Sequence, residues 1–325
     1  MLWTAPFAVL ALSSIASSTP LASECASCHP QEVESYSHTR MASALVPALS
    51  SPFARNLPNQ PLLESADGYA FEYRLTDQGI LVTAARGTDR AEGLIKWVVG
   101  SGEQGQTPFI QTRRGIAQSR VSYFPQLRRY GITVGEDAGA SANAESALGR
   151  IWKTSDLAQC LNCHATSVSS DLTTFTPGIQ CIRCHPGAQE HSRGHGKPLN
   201  PGKLSAAAQV AFCGDCHRSK APGSDADMEN VRFQPLRLMK SKCFASGQLS
   251  CTSCHDAHAD VLRTTASYNQ RCLSCHPKQA HVTATEDNNC VRCHMPAVQL
   301  HPALRFTDHF IRVVKGNPQA SLKGP

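Results

Sequence analysis

Between residues 42 and about 150 the pattern of apolar and polar positions has the texture of β-structure. Tyr69, Phe71, Tyr73 and Leu75 are separated by small or polar residues, the two-residue period of a half-buried strand. Asp67-Gly68 and Thr76–Gly79 bracket that run with turn signals. Ile80–Ala84, Ile95–Val99, Pro108–Thr112 and Arg120–Phe124 read as further short strands. Gly100-Ser101-Gly102 and Gly105 mark a tight connection; a phosphate cradle would need Lys-Ser/Thr after the glycines and a helix opening there, and neither follows. The pattern predicts a small antiparallel sheet. Helices are expected over Gln31–Met41, Ala144–Leu161 and Ser205–Cys213, with Gly135–Asn143 as a small-residue linker.

From Cys160 to His294 no such period persists. Pro177-Gly178, Pro186-Gly187, Gly194-His195-Gly196 and Pro198 to Gly202 break the region into loops. What recurs is Cys-x-x-Cys-His, six times here and once near the N-terminus. The first copy is Cys25, Cys28 and His29, the second Cys160, Cys163 and His164, and the third Cys181, Cys184 and His185. The fourth is Cys213, Cys216 and His217, and the fifth Cys251, Cys254 and His255. Cys272, Cys275 and His276 make the sixth, and Cys290, Cys293 and His294 the seventh. This pattern attaches c-type haem: two thiols add to the porphyrin vinyl groups and the histidine supplies an axial nitrogen to iron. Seven haem c groups are therefore expected. First-cysteine spacings of 18 to 38 residues within the stretch are too irregular for a solenoid.

That cofactor changes what composition means. Aromatics are only 6% of the 325 residues, and six motifs fall within 135 residues. With roughly 22 residues per haem, the porphyrins must supply much of the buried apolar surface, and the region should be unfolded without them. The formal charge of +6 is offset by haem propionates, about −7 for seven oxidised haems, so the basic balance gives no case for nucleic-acid binding. Fourteen of the fifteen cysteines lie in the motifs, which leaves no disulfide framework. Zinc ribbons need two Cys pairs per metal and no histidine after each. The fifteenth, Cys243, reads first as a buried, inert thiol, with a haem ligand or a redox handle as the alternatives.

Leu2–Ala16 is apolar but shorter than a membrane span, and a polar small-residue segment follows it. A signal peptide over residues 1–22 is expected, with cleavage after Ala16, Ser18 or Ala22. Glu24 argues against a lipid anchor on Cys25. No later stretch could cross a bilayer, so the mature chain should be exported, to the periplasm or beyond the cell.

The ligand opposite each motif histidine decides function. A second histidine makes an electron-transfer haem, whereas an open position permits substrate chemistry. Seven histidines remain as distal candidates: His38, His191, His195, His258, His281, His301 and His309. The tally permits bis-histidine ligation at every iron. His258, three residues past His255, cannot easily reach the far side of the same iron and should serve a neighbour. His195, in a glycine-flanked loop, is the least convincing, and would be a pocket residue if one haem stayed open. Met41 is a weaker axial candidate, and Met295 reads as packing.

With those residues assembled, the chain resembles the multihaem cytochromes of the cytochrome c-552/4 family. The likeness rests on Cys25–His29 with the Tyr36-to-Met41 helix, on Val98-Val-Gly-Ser-Gly, and on Gly178 to Gly187 with His191. Asn200-Pro-Gly-Lys-Leu204, Ser241-Lys-Cys243-Phe, the Leu249-to-His258 run and Cys290 to Pro296 ending in Asp308-His309 complete it. The resemblance implies periplasmic or extracellular electron transfer through haems in stacked and perpendicular pairs. The chain departs from family forms fused to helical repeats. It has no Cys-x-x-Cys-Lys site, a hallmark of related nitrite and hydroxylamine enzymes.

The expected fold is mostly helical and loop-rich, α+β or irregular, with a small antiparallel β insertion between the first and second haem sites. Its parts are a signal peptide (1–22), a first haem segment (23–41), a haem-free β-rich insertion (42–143), a six-haem domain (144–312) and a flexible tail (313–325). The expected function is electron transfer to and from redox partner proteins, with no catalysis of its own. The alternatives are an oxidoreductase acting on a small nitrogen or sulfur species at one open haem, and an oligomeric filament subunit.

Overall fold

A computed structural model describes residues 21–57, 62–63, 68–136, 139, 141–172, 174–220, 228–276 and 289–314. Most of the expected signal peptide, His281 and the tail beyond residue 314 lie outside the described residues. The chain divides into two units, one built on Arg40–Arg183 and the other on Glu24–Thr39 with Cys184–Pro325. The division falls inside the third motif, between Arg183 and Cys184.

The first unit is organised by an antiparallel sheet. Its strands begin with β1 (Leu45–Pro47), β2 (Leu62–Leu63), β3 (Ala70–Thr76), β4 (Gly79–Arg86), β5 (Asp89–Val99), β6 (Thr107–Thr112) and β7 (Gly115–Ser119). After β8 (Val121–Phe124) and β9 (Arg129–Ile132), which form a separate hairpin, β10 (Gly149–Ile151) returns to the sheet. The order is β10-β7-β6-β5-β4-β3-β2, with β1 also on β5, eight strands in all. The long β5 makes this possible: Asp89–Ile95 pairs β4, whereas Trp97–Val99 lies beside β1 and β6.

The expected mostly helical chain is overturned. About 34% of the structure is helix and 27% is strand, and the longest helix among the described residues, Ala206–His217, has 12 residues. Two causes are physical. Strands β7 and β9 (Gly-Ile-Ala-Gln-Ser and Arg-Tyr-Gly-Ile) carry no clean alternation, and the charged start of β5 hides a strand with an exposed edge face. The helix expected over Ala144–Leu161 is also split. Gly149 sits at φ +145°, where its Cβ position would fall 1.8 Å from Gln118 O. The helix Ala144–Leu148 therefore stops, β10 follows, and a second helix runs from Thr154 to His164.

This unit has a side-chain core. Phe53, Tyr69, Phe71, Ile80, Ile95, Val98, Ile110 and Leu148 pack together in it. Phe53 meets Tyr73 and Tyr130 edge-on at 5.5 and 5.1 Å, a geometry that suits ring quadrupoles. A second cluster joins Leu45, Trp97, Phe109, Leu161 and Ala165, with Cys160 of the second motif packed against it. Strands β11 (Ala165–Val168) and β12 (Phe175–Pro177) then lead to the third motif.

The second unit consists of short helices, turns and one hairpin, β13 (Ala297–His301) with β14 (Leu304–Thr307). Among the described residues, both clusters of buried apolar side chains belong to the sheet unit. Buried apolar residues here, such as Val210, Phe233, Leu236 and Val298, are interspersed with buried Gln209, Asn230, Arg237, Ser241 and Asp308. The first-motif segment belongs to this unit: Ser35 Oγ donates to His258 O at 2.7 Å, and the Tyr36 ring meets His258 edge-on. No helix among the described residues is long and apolar enough to cross a membrane.

Candidate functional site

Each Cys-x-x-Cys-His copy makes about one helical turn. In the first, fifth and sixth copies the histidine N–H donates to the carbonyl of the first cysteine: His29 to Cys25 at 2.8 Å, His255 to Cys251 at 3.0 Å and His276 to Cys272 at 2.9 Å. The second and fourth copies end the helices Thr154–His164 and Ala206–His217, and the seventh is the helix Cys290–His294. One turn places both thiols and the imidazole on one side of the backbone, as attachment to a single porphyrin needs. No two cysteines are joined by a disulfide. Among the described residues no three His, Cys, Asp or Glu side chains converge as a metal cage.

The second cysteine of each motif is not sheltered equally. Cys163, Cys184, Cys216, Cys254 and Cys293 are half-buried, whereas Cys28 and Cys275 are exposed. Both exposed thiols follow a serine: Ser27 Oγ donates to Cys28 Sγ at 3.8 Å, and Ser274 Oγ lies 3.9 Å from Cys275 Sγ. The backbone turn is kept at both, with Cys28 N donating to Cys25 O at 3.1 Å and Cys275 N to Cys272 O at 3.2 Å. Attachment needs a thiol that reaches the porphyrin edge rather than a buried one, so the exposed pair fits it as well as the others do.

Three motif imidazoles are oriented by a backbone carbonyl. Nδ1 of His164 donates to Ala44 O at 3.0 Å, that of His185 to Leu199 O at 2.9 Å, and that of His294 to Arg312 O at 2.9 Å. A proton fixed on Nδ1 leaves the Nε2 lone pair for a metal, the usual arrangement around a ligating histidine. The fourth imidazole, His217, lies against the Gln234 side chain. His255 is different: its buried Nδ1 has no hydrogen-bond partner among the described residues.

Motif residues distant in sequence meet. The thiols of Cys213 and Cys251 hydrogen-bond to each other, which together with burial holds Cys213 well above the usual thiol range; Cys216 of the same turn adds to the rise. Burial, with Cys290 beside it, pushes the Cys272 thiol up to about 11. The fourth and fifth motifs therefore adjoin, as do the sixth and seventh. Polar side chains set both spacings. Gln209, in the fourth-motif helix, donates to Thr252 Oγ1 at 3.0 Å and accepts from Thr252 N at 2.9 Å in the fifth. Asn269, opening the sixth-motif helix, accepts from Cys290 N at 3.1 Å.

Of the distal candidates, two stand opposite motif histidines. The rings of His185 and His258 are 6.1 Å apart between centroids and within 10° of parallel. Those of His255 and His309 are 6.2 Å apart and tilted by 39°. His309 Nδ1 donates to Thr307 O at 3.0 Å. Burial holds its imidazole neutral, with a pKa down to about 4, and lowers that of His255 as well. Neutral imidazole is the ligating form.

The others are placed differently. His38 Nε2 lies 3.2 Å from Glu34 Oε1 on an exposed helix face. His191 Nδ1 donates to Gly196 O at 3.2 Å, and the His195 N–H donates to Glu190 O at 2.8 Å, so both belong to one closed turn. His301 Nδ1 accepts from Ala303 N at 3.2 Å, which puts its proton on Nε2, the tautomer opposite to His309. Cys243 is half-buried near Cys254 and Cys272.

Gln209, Asn269 and Arg237 escape a reading based on motifs. Gln209 and Arg237 did leave a trace, because each is a polar residue inside an apolar run (Ala206-Ala-Ala-Gln209-Val-Ala-Phe and Pro235-Leu-Arg237-Leu-Met). Such a residue is buried only with a partner.

Comparison with known proteins agrees with this chemistry. A family model described as "Cytochrome c554 and c-prime" matches residues 133–186, which hold the second and third motifs. No curated protein matches the chain by sequence. Among solved structures, the outer cell wall cytochrome OcwA matches with a TM-score of 0.50 at 14% identity, over 92% of this chain and 80% of that one. These findings support a multihaem c-type cytochrome.

Proposed function

We propose that this chain is an exported electron carrier that holds seven covalent haem c groups, most of them closed by two histidines, and passes electrons between redox partner proteins. Haem iron supplies one-electron chemistry. The fourteen motif cysteines would anchor the groups, and His29, His164, His185, His217, His255, His276 and His294 would each offer a nitrogen to the iron.

The observation that carries this reading is the separation within the two histidine pairs. Two imidazoles that were to hold one iron between them would need ring centroids about 6 Å apart. His185/His258 and His255/His309 stand at 6.1 and 6.2 Å. The rings of the first pair lie within 10° of parallel. Accordingly His258 would serve the third-motif haem and His309 the fifth. Both irons would then be closed to substrate, as an electron carrier requires. The adjoining thiols of Cys213/Cys251 and Cys272/Cys290 support short hops between neighbouring haems. Export fits the outer cell wall location named for the structural neighbour.

A second reading, an oxidoreductase with one open haem, has a specific observation in its favour. His164 is the only histidine between Thr39 and Cys184, so the sheet unit supplies no second imidazole to the second-motif haem. Intact mass and an electron paramagnetic resonance spectrum of the oxidised protein decide the matter. Seven haem adducts with low-spin ferric signals are expected. Fewer adducts refute the count, and a high-spin signal that shifts on adding nitrite or sulfite favours the enzyme.

A further inference from the structure

Beside His309 lies a buried ion network whose charged residues belong to no Cys-x-x-Cys-His copy. Asp308 is fully buried and accepts from Arg237 Nε at 2.7 Å, from Arg237 Nη2 at 2.6 Å, from Arg312 Nη1 at 2.8 Å and from Phe310 N at 3.0 Å. Arg237, itself only 7% exposed, approaches the carboxylate with the two-pronged fork that arginine alone makes. A buried ion pair is poor evidence of stability, because desolvation offsets most of the attraction. What it does give is one fixed geometry.

The segment it fixes is the one that carries His309. Ser241 Oγ donates to His309 O at 3.3 Å and accepts from Ile311 N at 2.8 Å, and Ser241 is almost fully buried. Arg312 N donates to His294 O at 3.2 Å, while His294 returns a bond from Nδ1 to Arg312 O. Residues 308–312 thus form a strap tied at both ends. Its middle presents His309 to His255. Arg237 comes from the short helix Gln234–Leu238, whose first residue, Gln234, lies against His217.

We propose that Asp308, clamped by Arg237 and Arg312, is a positioning residue that holds His309 in the sixth coordination position of the fifth-motif haem and so keeps that iron closed to outside ligands. This rests on the reading of His309 as that haem's second axial ligand, and the two are separable. An isolated histidine on a loop would leave and rebind, exposing the iron for part of the time. Tying the backbone on both sides of it removes the alternative positions that favour release. Asp308→Asn keeps the shape but loses the charge that both guanidiniums need. The two arginines would then repel each other across a weak acceptor, and the strap would loosen.

The test compares the oxidised holoprotein with His309→Ala and Asp308→Asn, each confirmed by mass to carry the full haem complement. The readouts are spin state and the binding of added imidazole or cyanide. His309→Ala should convert one low-spin haem to high spin and let it bind either ligand. Asp308→Asn should raise the fraction of that haem open to cyanide about tenfold over the unsubstituted protein, with added imidazole restoring the low-spin signal. If His309→Ala leaves the spectrum unchanged, the pairing itself is wrong. Should His309→Ala open the haem while Asp308→Asn stays as closed as the parent, the clamp is refuted and the pairing stands. Where Asp308→Asn does not assemble, Arg237→Lys decides, since it keeps the charge and loses the fork. Its staying fully closed overturns the proposal, and its partial opening supports it.

Discussion

The sheet unit and the motif-rich unit solve burial in different ways. In the first, Phe53, Phe71, Ile80, Ile95 and Ile110 converge from neighbouring strands into one cluster of apolar side chains. In the second, buried Gln209, Arg237, Ser241 and Asp308 stand among the buried apolar side chains, and they tie down the segments that carry imidazoles and thiols. A unit in which Cys-x-x-Cys-His copies recur so closely would, with a cofactor on each, have little need of side chains as filler. It needs polar ties that hold ligands still. Stability in the two units should therefore respond to different losses.

The largest single effect is expected in the sheet unit. Phe53→Ala removes a fully buried ring with two edge-on aromatic neighbours and should cost about 3–5 kcal/mol. Thermal unfolding followed by far-ultraviolet circular dichroism should show it, while haem absorbance at room temperature stays as in the parent. A matching change in the haem spectrum would show that the two units are not energetically distinct.

Gly149→Ala should follow in size. The residue sits at φ +145° with backbone oxygen where its Cβ would go, and forcing it costs roughly 2–3 kcal/mol. The loss should again appear as a lower melting temperature of the strand signal. No change would mean that the return of β10 to the sheet matters little. The smallest expected effect is in the motif-rich unit. Gln209→Ala deletes the side chain between the fourth and fifth motifs at a cost of about 1–2 kcal/mol. Unlike the first two, it should alter the paramagnetic resonance lines of the haems, because it loosens their spacing. An unaltered spectrum at equal haem content would demote Gln209 to ordinary packing.

The sequence disclosed these units unequally. Strand β3 was legible because apolar and polar residues alternate along it, and β4, β6 and β8 because short runs rich in apolar residues lie near turn residues. Their neighbours β7 and β9 were not, because short strands in Gly-Ile-Ala-Gln-Ser and Arg-Tyr-Gly-Ile gain their order from partners rather than from pattern. Helix was overestimated where Gly149 interrupts an otherwise helical run, and where each motif forms only its own turn. Of the site, the seven motifs stand out by spacing alone, although spacing did not separate the exposed Cys28 and Cys275 from the half-buried Cys163, Cys216 and Cys293. The histidines that face the motifs do not stand out: His258 follows His185 by 73 residues and His309 follows His255 by 54. The place of His258 three residues after His255 marks it as a ligand for a neighbour but does not say which, and nothing local distinguishes His309 from His301, whose tautomer is set by one backbone amide. Long-range pairing of this kind is a property of the folded loops.

The central claim is that one unit is built around side chains and the other around cofactor. Hydrogen exchange with mass spectrometry, on the full chain made with and without the haem attachment machinery, tests it most directly. In the haem-loaded protein, peptides from both units should be protected. In the haem-free chain, peptides across residues 70–119 should keep slow exchange, whereas those across 206–276 and 289–312 should exchange fully at the earliest time point. Slow exchange in those last peptides without haem would contradict the account, because the motif-rich unit would then possess a core of its own.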